Sequence, residues 1–134
     1  MNYAFKLEFK VRDYECDLQG VVNNSVYLNY LEHTRHEFLL SRGINFAELS
    51  QQGINLVVVR AELTYKQPLK SGDEFWVGLT PHRISKIRGL FIQNIYRKHN
   101  NALVLSAKIE WTALNPTGKP FYYSGQEALY KEEP

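Results

Sequence analysis

The chain has a single cysteine, Cys16, among 134 residues. One thiol closes no internal disulfide and one thiolate assembles no cysteine-ligated zinc site, so both frameworks are excluded, and neither metal nor other cofactor is expected. Long apolar runs are missing too. No stretch approaches the roughly 18 residues of a membrane-spanning helix, so no membrane partner is expected. The opening MNYAFKLEFK alternates charged with apolar residues, unlike a signal peptide, and the expected compartment is the cytoplasm. Neither sign of charge dominates. Sixteen basic against fourteen acidic residues leave +2, too little to argue for a nucleic-acid surface. Internal repeats, low-complexity segments and linkers are also absent, and the length fits one domain, residues 1–134.

What is present is enough for a core: 44% hydrophobic residues, 13% of all residues aromatic, and 22% charged, the balance of a soluble globular protein. From Tyr3 to Val11 the odd positions Tyr3, Phe5, Leu7, Phe9 and Val11 alternate with Lys6, Glu8 and Lys10. This period of two predicts a strand with one buried face. From Asn24 the period becomes helical. Val26, Tyr27, Tyr30, Leu31, Thr34, Phe38 and Leu39 recur on one face, with Glu32, His33, Arg35, His36 and Glu37 between them. A helix of about four to five turns is expected, capped by Asn23, Asn24 or Ser25 and stopped at Gly43. NFAELSQQG predicts a short helix or turn.

Beyond Gly53 the pattern is that of strands: INLVVVRAELTY, EFWVGLTPHRI, LFIQNIYRK and ALVLSAKIEWTAL. The links KQPLKSGD, SKIRG, HNN and NPTGKP are too short for crossover helices, so consecutive strands pair antiparallel. The expected class is α+β, one long helix on a curved antiparallel sheet of about five strands, with a last turn at GQEALYKEE. A single helix covers only part of such a sheet, and exposed edges tend to be paired. A homodimer is therefore expected, or a homotetramer built from it.

The stretch CDLQGVVNNSVYLNY, residues 16–30, sets Asp17 just ahead of the helix start, near backbone N–H groups that the helix leaves unsatisfied. Two readings fit. Asp17 is a loop acid accepting local backbone hydrogen bonds. Or the helix terminus stabilises an oxyanion formed on a substrate carbonyl, with Asp17 opposite as nucleophile or base, Gly20 permitting close approach, and Val21 and Val22 keeping water out.

Residues 11–39, VRDYECDLQGVVNNSVYLNYLEHTRHEFL, resemble the signature of the hotdog-fold thioesterases of the 4-hydroxybenzoyl-CoA thioesterase family. They are also similar to the single-domain acyl-ACP thioesterases of plant plastids. The pattern is an aspartate, two residues, a glycine, a small apolar residue or histidine, Val-Asn-Asn, and a tyrosine in the first helical turn. Asp17, Gly20, Val22, Asn23, Asn24 and Tyr27 meet it, and LTYKQPLKSGDEF resembles the family's later strand and turn. The resemblance extends from about Tyr3 to Leu114. It implies a helix wrapped by a sheet, two subunits sharing one continuous sheet, and a site between them that hydrolyses an acyl-CoA or acyl-ACP thioester. Asp17 would be the catalytic carboxylate, and the Asn24 backbone N–H would polarise the carbonyl. Val21 stands where one branch has histidine, so a mechanism that depends on histidine there is excluded.

Tyr27 is either core or wall of the acyl pocket, and Val58, Val59 and Arg60, which begin the strand expected to face the helix terminus across the subunit interface, are pocket candidates. Arg83, Lys86 and Arg88, with Lys98 further on, form either a solvated hairpin tip or, as the resemblance implies, a grip on carrier phosphates. His33 and His36 read as surface partners of Glu37 and Glu32, outside the catalytic set. Cys16 reads as a small buried hydrophobe. The rival functions are a non-catalytic acyl-CoA or acyl-carrier binding module and, less supported by the charge, a nucleic-acid binder using the basic turn.

Overall fold

The computed structural model describes residues 2–131. Strand β1 (Phe5–Lys10) leads through a 3-10 turn at Asp13–Glu15 into helix α1 (Asn24–Ser41), then helix α2 (Phe46–Gln51) and strands β2 (Asn55–Tyr65), β3 (Glu74–Ser85), β4 (Arg88–Arg97) and β5 (Leu103–Leu114). A two-residue strand β6 (Pro120–Phe121) and a 3-10 segment at Ser124–Tyr130 follow. The 3-10 segment occupies most of the turn expected at GQEALYKEE, whose last two residues lie outside the described residues.

The sheet is antiparallel in the order β1-β3-β4-β5-β2, with β6 added against β5. It therefore has six strands rather than five. The extra one arises because Asn115 caps the NPTGKP turn, its Oδ1 accepting from the N–H groups of Thr117 and Lys119, which returns Pro120 and Phe121 to β5.

Helix α1 begins where Asn23 Oδ1 accepts from Ser25 N–H at 3.2 Å. It ends in a Schellman closure: Gly43, at φ 77°, donates to Leu40 O, and Ile44 donates to Leu39 O. Leu31 and Phe38 are wholly buried against Phe75, Val77, Leu79, Ile95, Leu105 and Ile109 from the sheet, so the sheet wraps the helix in the hotdog manner. Thr34 bonds back to Tyr30 O, which lets a hydroxyl sit within this face.

Two side chains depart from the expected pattern. Tyr3 leaves the face of Phe5 and Leu7: its ring lies over Gly78, where an added Cβ would come within 2.6 Å of it, and it packs edge-on to Trp76 and Tyr96 on the sheet's outer side. Arg35, read as one of the polar residues between the apolar positions of α1, instead turns toward the sheet and donates to Gln93 Oε1 at 3.0 Å.

Candidate functional site

The approach to α1 is fixed from below by a buried carboxylate. Glu15 accepts from the Tyr30 hydroxyl at 2.8 Å and from Arg12 N–H at 2.8 Å, and its carbonyl accepts from Asn23 N–H. Burial and this carboxylate hold the Tyr30 phenol far above the usual range, so it stays a neutral donor. Cys16 then pairs with Val22 in a bridge that closes a tight turn over Asp17–Val21, with Gly20 at φ 81°. A β-carbon at Gly20 would meet no neighbour, so it is the left-handed backbone, not crowding, that favours glycine there.

Asp17 organises the turn. Its Oδ1 accepts from Gln19 N–H at 2.8 Å and lies 3.4 Å from Val21 N, while Gly20 N–H donates to the Asp17 carbonyl. Among the described residues Oδ2 has no donor, and the side chain is exposed. One oxygen of Asp17 thus caps the turn, as a loop acid does, while the other has no donor of this protomer among the described residues.

Beside this turn a cleft of about 270 Å³ opens at the start of α1, lined by Val21, Val22, Asn24 and Tyr27 together with Tyr65, Lys66, Gln67 and Pro68. Asn24 is the first helical residue, and its backbone N–H has no acceptor among the described residues. The positive end of the helix dipole is therefore open toward the cleft. Tyr27 forms the cleft's inner wall. It is buried, stacks edge-on against Tyr65, and accepts from the Leu69 backbone N–H at 3.2 Å. Burial first of all raises its phenol pKa above the ordinary value. Tyr27→Phe leaves that N–H without an acceptor and is expected to cost about 1 to 3 kcal/mol of stability, read as a shifted denaturation midpoint. A midpoint equal to wild type would show that water replaces the phenol there.

The other expected residues are gathered differently. Val58 does not reach the cleft; with Leu56 and Val57 it lines a separate, mostly apolar cavity of about 220 Å³ between α1 and the sheet, bounded also by Phe46, Phe91 and Trp111. Val59 sits at a bulge on the free edge of β2, where the pairing with β5 skips from Val58 to Arg60. That extra residue turns Arg60 to the outer face, 3.8 Å from Glu110 and away from the cavity.

The basic turn is held by its own neighbours. Arg83 bonds Glu127 at 2.6 Å and lies over the Tyr130 ring, Lys86 lies over Tyr122, and Arg88 is 3.6 Å from Glu110. These residues are at the β3–β4 hairpin, far along the sheet from the Asn24 cleft of the same protomer. His36 and His33 pair with Glu32 and Glu37 at 3.8 and 3.9 Å, as expected of surface partners. Among the described residues no cluster of His, Cys, Asp and Glu is placed to hold a metal, and no helix is long and apolar enough to cross a membrane. Sequence reasoning missed Arg35 as a cavity residue. Its place between Leu31 and Leu39, one turn from each on the apolar stripe, was the available signal.

Residues 11–115 match the model of the thioesterase-like superfamily. A chloroplastic acyl-acyl carrier protein thioesterase of Arabidopsis thaliana is 43% identical over 108 residues, 81% of this chain and 57% of that protein. A putative esterase of Aquifex aeolicus is 34% identical over 89 residues, 66% of this chain and 70% of that protein. The chain spans little more than half the length of the two Arabidopsis relatives, 57% and 55%. In fold it matches a 1,4-dihydroxy-2-naphthoyl-CoA thioesterase from Synechocystis with a TM-score of 0.89 at 22% identity, over 95% of this chain and 96% of that one. A hypothetical protein from Aquifex aeolicus gives a TM-score of 0.86 at 29% identity, over 93% of this chain and 98% of that one. The helix wrapped by an antiparallel sheet is thus a fold shared with these structures, and the chain belongs to the thioesterase-like superfamily of hotdog proteins.

Proposed function

We propose that this chain is a thioester hydrolase that releases a free acid and a thiol from acyl-CoA or an acyl carrier protein. The observation that carries the reading is the unpaired Asn24 N–H at the head of α1, opening on a cleft next to the turn that presents Asp17. The thioester carbonyl oxygen binds this N–H, and the helix terminus stabilises the negative charge that grows on it. Asp17 supplies the opposing carboxylate, either attacking the carbonyl carbon to expel the thiolate or taking a proton from the attacking water.

In one protomer Asp17 is exposed and stands outside the lining of the Asn24 cleft, which is open on one side. A second copy closes it. Strand β2 is a free sheet edge of 11 residues carrying the exposed apolar side chains Val58, Val59 and Tyr65, a surface suited to pairing with itself. Two-fold antiparallel pairing of β2 sets the Tyr65 end of one strand beside the Asn55 end of the other. The Asn24 cleft of one protomer then adjoins the partner's apolar cavity, and the partner's Lys86 and Arg88 come to the side from which a carrier phosphate approaches. We propose a homodimer as the active unit, built from a single domain over residues 1–134, with a homotetramer as its further assembly. A cytoplasmic setting is in keeping with the one free cysteine.

The test is thiol release from purified protein given aromatic, short, medium and long acyl-CoAs, and the same acyl groups on acyl carrier protein. Turnover with any of them is the expected result, and the carrier with the larger kcat/KM is the natural one. A non-catalytic acyl-binding protein would bind these thioesters and release no thiol.

A further inference from the structure

The apolar cavity contains a cation that hydrolysis of a plain acyl chain does not require. Arg35 projects from α1 into it among Leu39, Leu56, Phe91 and Trp111. Its guanidinium is largely withdrawn from water, and that burial lowers its pKa below the ordinary value. A buried charge is normally paired with an opposite one. Arg35 forms no ion pair within bonding distance among the described residues: Glu32, which lines the same cavity and favours the charged guanidinium through space, lies 3.8 Å from His36. Of its five N–H donors one is accounted for, by Gln93 Oε1 at 3.0 Å. Gln93 is itself completely buried and donates from Nε2 to Leu31 O at 2.9 Å, so its amide is fixed and holds the guanidinium from the sheet side. The result is a positioned fork of donors facing a mostly apolar pocket, in which Gln93 is the one hydrogen-bond partner of Arg35 among the described residues and Glu32, at the rim, is the one carboxylate of the lining.

From this we infer that Arg35 is a specificity determinant, and that the acyl group preferred by this protein carries a carboxylate at its far end, which the guanidinium pairs inside the cavity. The inference rests on the thioesterase reading only in placing the acyl group in this cavity. A carboxylate matches the fork in shape, receives two parallel N–H bonds, and pairs at contact distance a charge that Glu32 meets only through space. Methyl-terminated chains of the same length leave that charge unpaired and bind less well.

The experiment compares kcat/KM for ω-carboxyacyl-CoAs of six, eight and ten carbons with that for the unsubstituted acyl-CoAs of equal length, in wild type, Arg35→Met and Arg35→Lys. Wild type is expected to favour the carboxylated member of at least one pair by tenfold or more. That ratio should fall at least tenfold in Arg35→Met and less in Arg35→Lys, which keeps the charge. In parallel, the free dicarboxylic acid should raise the melting temperature of wild type more than the monocarboxylic acid of equal length does, and should lose that advantage in Arg35→Met. Wild type without a preference in either assay, or an equal ratio in wild type and Arg35→Met, would overturn the proposal. If no thioester released thiol the hydrolytic reading would fail by itself, and the melting comparison would still decide the role of Arg35.

Discussion

Asp17→Asn is expected to lower kcat/KM on every thioester the protein hydrolyses by at least about a hundredfold, with little change in KM. The substitution is chosen because it separates the two jobs of this side chain. An asparagine Oδ1 still accepts from Gln19 N–H and approaches Val21 N, so the turn over Asp17–Val21 keeps its cap. What disappears is the negative charge and with it the nucleophile or base. A melting temperature close to that of wild type, alongside the lost turnover, would assign Asp17 to chemistry. Full turnover in a folded Asp17→Asn protein would remove it from the mechanism and leave the carboxylate as a turn cap only.

The second large effect is expected from Val59→Asp. Val59 is exposed at the β2 bulge, in the middle of the strand edge that the proposed dimer covers. An aspartate there meets its own symmetry mate across a two-fold axis, and two like charges without partners are costly once desolvated. The protein should elute as a monomer at micromolar concentration in light scattering, and thiol release should fall about a hundredfold, because each cleft loses the wall that the other copy provides. A wild-type protein that is monomeric and active would sink the shared-site arrangement, as would a Val59→Asp monomer that retains full activity.

The elements were legible in the sequence wherever local chemistry dictates them. The change from period two to period 3.6 at Asn24, the Asn23 cap and the Gly43 stop specify α1 within the chain itself, and the observed helix ends in the closure that Gly43 implies. Strands β2 to β5 follow from apolar runs broken by short polar links. What periodicity could not supply was orientation that depends on distant residues. Arg35 turns inward because Gln93, 58 positions away, offers an acceptor within the core. Tyr3 crosses to the outer face because Gly78 leaves room for its ring. Arg83 is engaged by Glu127, 44 positions downstream. Of the candidate site, the turn at Asp17–Val21 and the helix start at Asn24 were readable because they are local, whereas a catalytic role for Asp17 came only from the family resemblance. The β2 bulge that separates Val58 from Arg60 was not, since its cause is the register with β5.

The placement of Tyr3 also bears on how the protein can be handled. Strand β1 forms the margin of the sheet opposite β2, so four strand spacings, about 19 Å, lie between them. An affinity tag, a fluorophore or a surface tether joined ahead of Tyr3 would emerge behind the aromatic cluster of Trp76 and Tyr96. Immobilisation through that end leaves the opposite flank unobstructed, whereas a fusion inserted near Asn55 would not.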